Sequence, residues 1–115
     1  MHEASLVLAM CEEIEDLARR EGAQRVLRIV VSFGEYAGVE EEAFRFAFEA
    51  LKEGSPLFKE ATLEIKKTKA RYRCPLCQEE FSPEDEPLCP RCHLPGLPHG
   101  GGELELKKVE FLTEG

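Results

Sequence analysis

Two pairs of cysteines in the second half of the chain constrain its folding more than any other feature. Cys74 and Cys77 form the first pair and Cys89 and Cys92 the second, with eleven residues between the pairs. Each Cys-x-x-Cys turn lets two thiolates face one ion from the same side, and two facing turns complete a tetrahedron of sulfur ligands. Segment 74–102 is rich in Pro and Gly and poor in large apolar residues. It therefore cannot build a core by itself, and the sequence predicts a lobe held together by a metal ion.

Zinc is the ion that this ligand set favours, because four thiolates in a tetrahedron are typical of structural zinc sites. Four protein ligands leave no open coordination position, so the predicted site is structural and not catalytic. Pro75 and Pro90 preset the backbone φ angle inside the two turns and reduce the entropy lost when they close. Iron in a rubredoxin-like centre and a redox-active thiol pair are the alternatives that this spacing leaves open.

Length and charge narrow the class of protein. The 115 residues suffice for one domain, or one domain with a small appendage. No apolar run approaches the roughly 20 residues of a membrane span, and the acidic start does not resemble a signal peptide, so we expect a cytoplasmic protein. The net charge of −8 argues against a nucleic-acid partner. The basic run 66–73 is interpreted as a solvated strand edge.

Apolar periodicity predicts five main elements. They are a helix over 4–21, a strand over 25–33, a helix over 40–52, a strand over 62–73 and a strand over 103–111. We expect an α+β fold in which two helices pack on a three-stranded sheet, with the four-cysteine lobe inserted before the last strand. The predicted domains are residues 1–72 plus 103–115, and the lobe at 73–102.

Three details of these elements can be compared with a structure. Phe46 lies off the apolar stripe of the second helix, which suggests that this helix is covered on two sides. The last strand changes its alternation of apolar and polar residues near Lys107 and Lys108, which predicts a β-bulge there. Cys11 lies on the apolar stripe of the first helix and is interpreted as a packed hydrophobic side chain.

The chain begins Met1-His2-Glu3, a second candidate metal site. The α-amino group of Met1, with an ordinary pKa of roughly 8, can lose its proton to a metal near neutral pH. This amine, the His2 amide nitrogen and the His2 imidazole can close two fused chelate rings on one ion. Nitrogen donors in a tetragonal plane suit nickel(II) or copper(II), and Glu3 can add its amide nitrogen or its carboxylate.

Three segments together resemble one known family. The opening residues 1–6, residues 33–39 (Phe-Gly-Glu-Tyr-Ala-Gly-Val) before a Phe-rich helix, and the paired Cys-Pro-x-Cys turns are similar to the HypA/HybF nickel-insertion proteins of hydrogenase maturation. The resemblance covers nearly the whole chain in the same order. Two departures are residues 93–96 (His-Leu-Pro-Gly), where a Gly-Ser-like turn is usual, and Tyr36, where leucine is commoner.

The resemblance implies a nickel metallochaperone that delivers Ni(II) during maturation of [NiFe]-hydrogenase. It implies a nickel site at Met1, His2 and Glu3, with His2 as the essential ligand, and structural Zn(II) on the four paired cysteines. The implied partners are a hydrogenase-maturation GTPase and the hydrogenase large subunit, with no nucleic acid and no membrane, and some members of the family also supply urease. The chain alone or a homodimer is the expected assembly.

The sequence leaves open whether other histidines bind nickel and whether the chain has a different function. His93 and His99 are candidate additional nickel ligands, although a solvated loop histidine is the simpler interpretation of each. The stretch His99-Gly-Gly-Gly resembles an esterase oxyanion loop, but the chain lacks a Gly-x-Ser-x-Gly nucleophile motif, and we expect no enzyme. The alternative function is a zinc-stapled module that binds protein or RNA without delivering a metal.

Overall fold

The computed structural model of the chain describes residues 3–34, 37–69, 71–81, 88–98 and 104–113. The chain divides into two compact units. The first unit consists of Met1–Ser32, Val39–Lys66 and Glu105–Gly115, and the second of Phe33–Gly38 and Lys67–Leu104. The second unit contains all four paired cysteines.

The elements confirm the predicted fold class. In chain order they are α1 (Glu3–Glu21), β1 (Ala23–Gly34), α2 (Glu41–Glu53), β2 (Thr62–Thr68), β3 (Tyr72–Arg73), β4 (Glu80–Phe81), β5 (Leu97–Pro98) and β6 (Leu104–Thr113). One three-stranded sheet has the order β2-β1-β6, and a second, smaller one has the order β4-β3-β5. Neither of these helices combines the length and apolar character that crossing a membrane requires.

Helix α1 forms because its apolar residues recur on one face. That face is buried and comprises Val7, Met10, Cys11, Ile14 and Ala18. Gly22 ends the helix with φ +66°, a left-handed conformation that glycine adopts at low cost, and its amide donates to the Arg19 carbonyl at 3.4 Å. Cys11 is completely buried, as its place on the apolar stripe predicts.

Helix α2 has a defined cap at each end. The carboxylate of Glu40 accepts a hydrogen bond from the Glu42 amide at 3.1 Å and so satisfies one of the free N–H groups of the first turn. Gly54 closes the other end, where its amide donates to the Leu51 carbonyl and the next amide, of Ser55, donates to the Lys52 carbonyl, both at 3.2 Å. The sequence placed this helix one residue early, because Glu40 is the cap residue and not the first helical residue.

The inner face of α2 contributes the aromatic part of the core. Phe44 and Phe48 are completely buried, and the Phe48 ring meets the Phe58 ring edge to face with 6.2 Å between centroids. Phe46 is 77% exposed, so the prediction that a second side of the helix is covered is wrong. Three exposed glutamates share its side of the helix, and their charged side chains favour water over a second apolar layer: Glu42, Glu49 and Glu53.

The strand predicted over 62–73 is divided in the structure. Its first part is β2, whereas Tyr72 and Arg73 form β3 and pair with β4 and β5 in the smaller sheet. Alternation alone could not reveal this change of partners. In β6, Lys107 and Lys108 are both exposed between the partly buried Leu106 and Val109, which is the change of phase expected from the sequence. The bulge itself stays a prediction.

One side of the larger sheet carries a charged network centred on Arg28 of β1. The Arg28 guanidinium donates to the carboxylates of Glu64 on β2 and, at 2.9 Å, of Glu110 on β6. The Lys108 ammonium lies 3.3 Å from the same Glu110 carboxylate. The hydrogen bond from Arg28 is the main cause that lowers the pKa of Glu110. The network therefore links all three strands through partly exposed ion pairs.

Candidate metal centre

The second unit brings the four paired cysteines into one cluster. The sulfur atoms of Cys74, Cys77, Cys89 and Cys92 all lie within 4.8 Å of one another. Cys77 Sγ and Cys89 Sγ are 3.7 Å apart, far longer than a disulfide bond. Zn–S bonds of about 2.3 Å in a tetrahedron place sulfur atoms about 3.8 Å apart, so the cluster fits a zinc ion.

The first cysteine turn, residues 74–79, is closed by its own backbone. The Gln78 amide donates to the Cys74 carbonyl, and the Cys74 amide donates to the Glu79 carbonyl, both at 3.0 Å. Gln78 has φ +66°, which reverses the chain directly after Cys77. The Leu76 amide points at Cys74 Sγ from 3.4 Å, a contact that stabilises a thiolate.

The second cysteine turn, residues 89–94, repeats the same hydrogen-bond pattern. The His93 amide donates to the Cys89 carbonyl, and the Cys89 amide to the Leu94 carbonyl, both at 2.8 Å. His93 has φ +59°, and the Cys92 amide lies 3.4 Å from Cys89 Sγ. The unusual sequence after Cys92 therefore forms the same turn as the first pair, because His93 takes the left-handed position that Gln78 occupies there.

The thiols of the cluster differ in acidity. A hydrogen bond from the Cys77 backbone amide is the main cause that lowers the pKa of Cys74 to about 7. Burial raises the pKa of Cys92 to about 12. Neighbouring thiolates repel one another, so a bound cation is needed to keep all four ionised. Burial also raises the pKa of Cys11 to about 12, which suits the inert core residue that the sequence predicts.

A small packed layer supports the two turns. Tyr72 and Phe81 are paired across β3 and β4, and their rings stack with 6.0 Å between centroids. A Cβ atom at Gly96 would lie 2.4 Å from Phe81 Cζ and 2.8 Å from Tyr72 Cβ. Next to this pair, Arg73 forms an ion pair of 2.9 Å with Glu80. The chain after the second turn can therefore lie against the rings only because residue 96 lacks a side chain.

Part of the predicted nickel site lies outside the described residues. Met1 and His2 are not described, whereas Glu3 is the first residue of α1. One oxygen of the Glu3 carboxylate accepts a hydrogen bond from the Glu40 amide at 3.2 Å. Glu40 caps α2, so the described part of the chain's start is attached to the beginning of the second helix. No local pattern in the sequence indicates this contact, because it joins positions 37 residues apart.

The two other candidate nickel ligands have different outcomes. His93 is exposed directly after the last cysteine of the cluster, and its backbone closes the second turn. His99 lies outside the described residues. The backbone of His93 thus helps to form the turn. Nickel binding by either histidine stays a prediction.

Comparison with known proteins gives the family. Residues 1–111 match the sequence model of a family described as hydrogenase/urease nickel incorporation, metallochaperone, hypA. The chain belongs to the HypA family. This membership confirms the resemblance that residues 1–6, residues 33–39 and the paired cysteine turns indicate.

Individual HypA proteins match over almost their full length. The hydrogenase maturation factor HypA of Dechloromonas aromatica is 38% identical over 113 residues, which are 96% of this chain and 99% of that protein. The hydrogenase/urease maturation factor HypA of Helicobacter pylori is 32% identical over 117 residues, 99% of this chain and all of that protein. The solution structure of the Ni metallochaperone HypA from Helicobacter pylori covers 99% of this chain with a TM-score of 0.73.

Proposed function

We propose that this chain is a nickel metallochaperone that delivers Ni(II) during maturation of [NiFe]-hydrogenase and holds a structural Zn(II) in its second unit. The observation that carries the proposal is the match of residues 1–111 to a family described by nickel incorporation. The four-cysteine cluster adds independent support for the zinc. Metallochaperones bind a metal ion and transfer it to another protein, which agrees with the expectation that the chain is not an enzyme.

The proposed nickel site consists of the Met1 amine, the His2 amide and imidazole nitrogens, and Glu3. Glu3 is the first residue of α1, so its amide nitrogen lies at the start of that helix. One oxygen of the Glu3 carboxylate already accepts the Glu40 amide. Glu3 would add either its amide nitrogen or its carboxylate as a further donor.

Such a site suits delivery because it holds few ligands at a chain end. Ligand exchange can begin at its open edge, and the donors must lose protons to bind, so nickel affinity should fall as the pH falls. The zinc site differs, because its four thiolates come from two turns that the backbone closes. Zinc in that position would hold the second unit together and take no part in transfer.

The proposed partners are a hydrogenase-maturation GTPase and the hydrogenase large subunit, in the cytoplasm, without nucleic acid or membrane. Relatives of the chain are named hydrogenase and urease maturation factors, which supports a protein as the recipient of the nickel. We also propose that residues 1–72 and 103–115 form the nickel-binding domain and that residues 73–102 form the zinc lobe. A homodimer is one proposed assembly of the chain.

The test is nickel titration of wild type and three variants, followed by calorimetry, with zinc measured by elemental analysis. Wild type should bind one Ni(II) with a dissociation constant of about 1 μM within an order of magnitude. His2→Ala and a variant with one residue added before Met1 should both lose this binding and keep their zinc. His93→Ala is the matched control and should retain both metals.

Retained nickel binding in the extended variant would falsify the terminal chelate. Salt-sensitive RNA binding by a wild-type protein that takes up no nickel would instead favour the alternative, a zinc-stapled interaction module.

A further inference from the structure

The outer surface of α2 carries an exposed aromatic side chain among acids. Phe46 is 77% exposed, the largest exposed fraction recorded for a large hydrophobic side chain in the described part of the chain. Glu42, Glu49 and Glu53 lie four residues before it and three and seven residues after it, so all three share its side of the helix. We call these four residues the α2 outer face.

Phe46 is not required for the core of the first unit. Phe44 and Phe48 fill the inner side of the same helix and are completely buried. A phenylalanine in water at an exposed helix position also lowers helix propensity relative to alanine. An exposed single apolar residue needs no special explanation, but an aromatic ring at the centre of a charged rim has the form of a binding hot spot.

Cationic side chains neutralise little of the negative charge around the Phe46 ring in the described part of the chain. Among the described residues, neither Glu42 nor Glu53 takes part in an ion pair. Glu49 has Lys52 at 3.6 Å, but the Lys52 ammonium also donates to the Ala61 carbonyl at 2.8 Å and lies over the Phe48 ring. Lys52 is therefore held toward the inner side of α2 and does not cover the outer face.

Glu3, the described residue of the proposed nickel site, lies near the start of the helix that carries the α2 outer face. The Glu3 carboxylate contacts the amide of Glu40, the cap residue of α2. Phe46 follows Glu41 by five residues, a rise of about 7.5 Å along the helix axis. A protein seated on Phe46 would thus lie within about two helical turns of Glu3.

We propose that the α2 outer face docks a protein with which this chain exchanges nickel, through an apolar pocket that receives Phe46 and has lysine or arginine at its rim. Charge selects this occupant. A second copy would bring glutamates against glutamates, and a nucleic acid would bring phosphates against them, whereas a basic rim is complementary. The inference rests on the proposed function, because it names the surface that meets a nickel-exchanging partner.

The experiment measures binding of purified hydrogenase-maturation GTPase and of purified hydrogenase large subunit to the full chain with its zinc. Phe46→Ala should weaken binding of at least one partner about tenfold or more. Glu42→Gln combined with Glu53→Gln should weaken the same partner and flatten the dependence of its affinity on salt. The matched control is Leu112→Ala, which removes a 47% exposed apolar side chain from β6 and should change neither affinity.

Nickel titration and thermal unfolding of each variant separate this inference from the proposed function. All variants should bind Ni(II) as wild type does and should unfold at the same temperature, because the substituted side chains are exposed. Unchanged affinity of both partners for Phe46→Ala overturns the docking surface and leaves the nickel carrier intact. Binding of neither partner by wild type contradicts both the proposed partners and this surface, whereas loss of nickel by His2→Ala still tests the carrier by itself.

Discussion

Single residues decide whether the cysteines can converge. Gln78 and His93 occupy the equivalent left-handed positions of the two turns, with φ of 66° and 59°. Neither is glycine, the residue that such positions usually favour, and in each turn the backbone hydrogen bonds offset the conformational cost. Gly96 has a different role, because the Tyr72 and Phe81 side chains leave no room there for a Cβ atom.

Replacing Gly96 by alanine should therefore destabilise the second unit. The added methyl group would meet Phe81 Cζ at 2.4 Å and Tyr72 Cβ at 2.8 Å, so the stacked rings must shift at a cost of about 1–3 kcal/mol. We expect zinc to transfer faster to a chelator, measured by absorbance of a zinc-binding dye. Gly54→Ala is the control, since the nearest atom to its Cβ position lies at 4.0 Å. Equal rates of zinc transfer for the two variants would contradict the packing argument.

Cysteine substitutions should separate the cluster from the core. Cys89→Ser removes one of four clustered sulfur atoms and should lower zinc content from one ion per chain to a small fraction of it. Cys11→Ala removes an equally buried cysteine outside the cluster. It should keep its zinc and lose about 1 kcal/mol of stability through the cavity that it leaves. Elemental analysis after dialysis gives the zinc content, and a zinc-depleted Cys11→Ala protein would place this cysteine in the metal site.

At the level of elements, α2 shows how one helix can serve two purposes. Its inner side packs Phe44 and Phe48 into the core, and its outer side presents Phe46 to solvent. Its spacing of apolar residues predicted the inner side correctly. The outer phenylalanine was assigned to a second buried side, because the sequence does not show whether another layer of the chain covers it.

A matched pair of phenylalanine variants tests this division. Phe48→Ala should lower the free energy of unfolding by about 3–5 kcal/mol, because it removes a completely buried ring that packs on Phe58. Phe46→Ala should change it by no more than about 0.5 kcal/mol. Urea unfolding followed by circular dichroism measures both. A large loss of stability in Phe46→Ala would mean that the ring is covered in solution.

The charged network on the larger sheet makes stability depend on pH. The hydrogen bond from Arg28 lowers the pKa of Glu110 below its ordinary value of 4.5. A carboxyl group whose pKa is lower in the folded protein than in the unfolded chain stabilises the folded state at pH values above its ordinary pKa. This stabilisation is lost as the pH falls through the lowered pKa of the folded protein. Glu110→Gln should therefore lose less stability than wild type between about pH 7 and about pH 3.

Urea unfolding at both pH values measures this difference. The control is Glu105→Gln on the same strand, which removes a carboxylate that contacts the exposed Lys107 outside the Arg28 network. An equal effect of the two variants would show that the network adds nothing specific to Glu110.

For the whole molecule, the division into two units predicts that metal removal acts locally. The first unit has its own buried core, drawn from α1, β1 and α2, whereas the second is built from two-residue strands around the cysteine cluster. Removal of zinc by a chelator should move the amide signals of residues 71–81 and 88–98 to random-coil positions, or broaden them, and leave those of the helices in place, as measured by two-dimensional NMR. Loss of all dispersed signals would show that the first unit depends on zinc.

The sequence was sufficient where a local pattern has one physical meaning. The spacing of four cysteines predicted a four-sulfur cluster, and apolar periodicity predicted two helices with their glycine ends and the strands of the larger sheet. The family resemblance rested on short motifs in a fixed order, which chance rarely reproduces together. The same motifs assign nickel to Met1-His2-Glu3, and that assignment remains a proposal.

Tertiary structure decided what depends on partners distant in the chain. Only folding determines that β3 leaves the line of β2 to pair with β4 and β5, that Glu3 meets the cap of α2, and that Phe46 remains in solvent. Periodicity and spacing act between neighbours along the chain, so they fix ligand sets and helix faces. Distant segments of the chain decide which strands pair, which helix ends meet and which side chains stay exposed. Patterns of neighbouring residues do not show which distant segments come together.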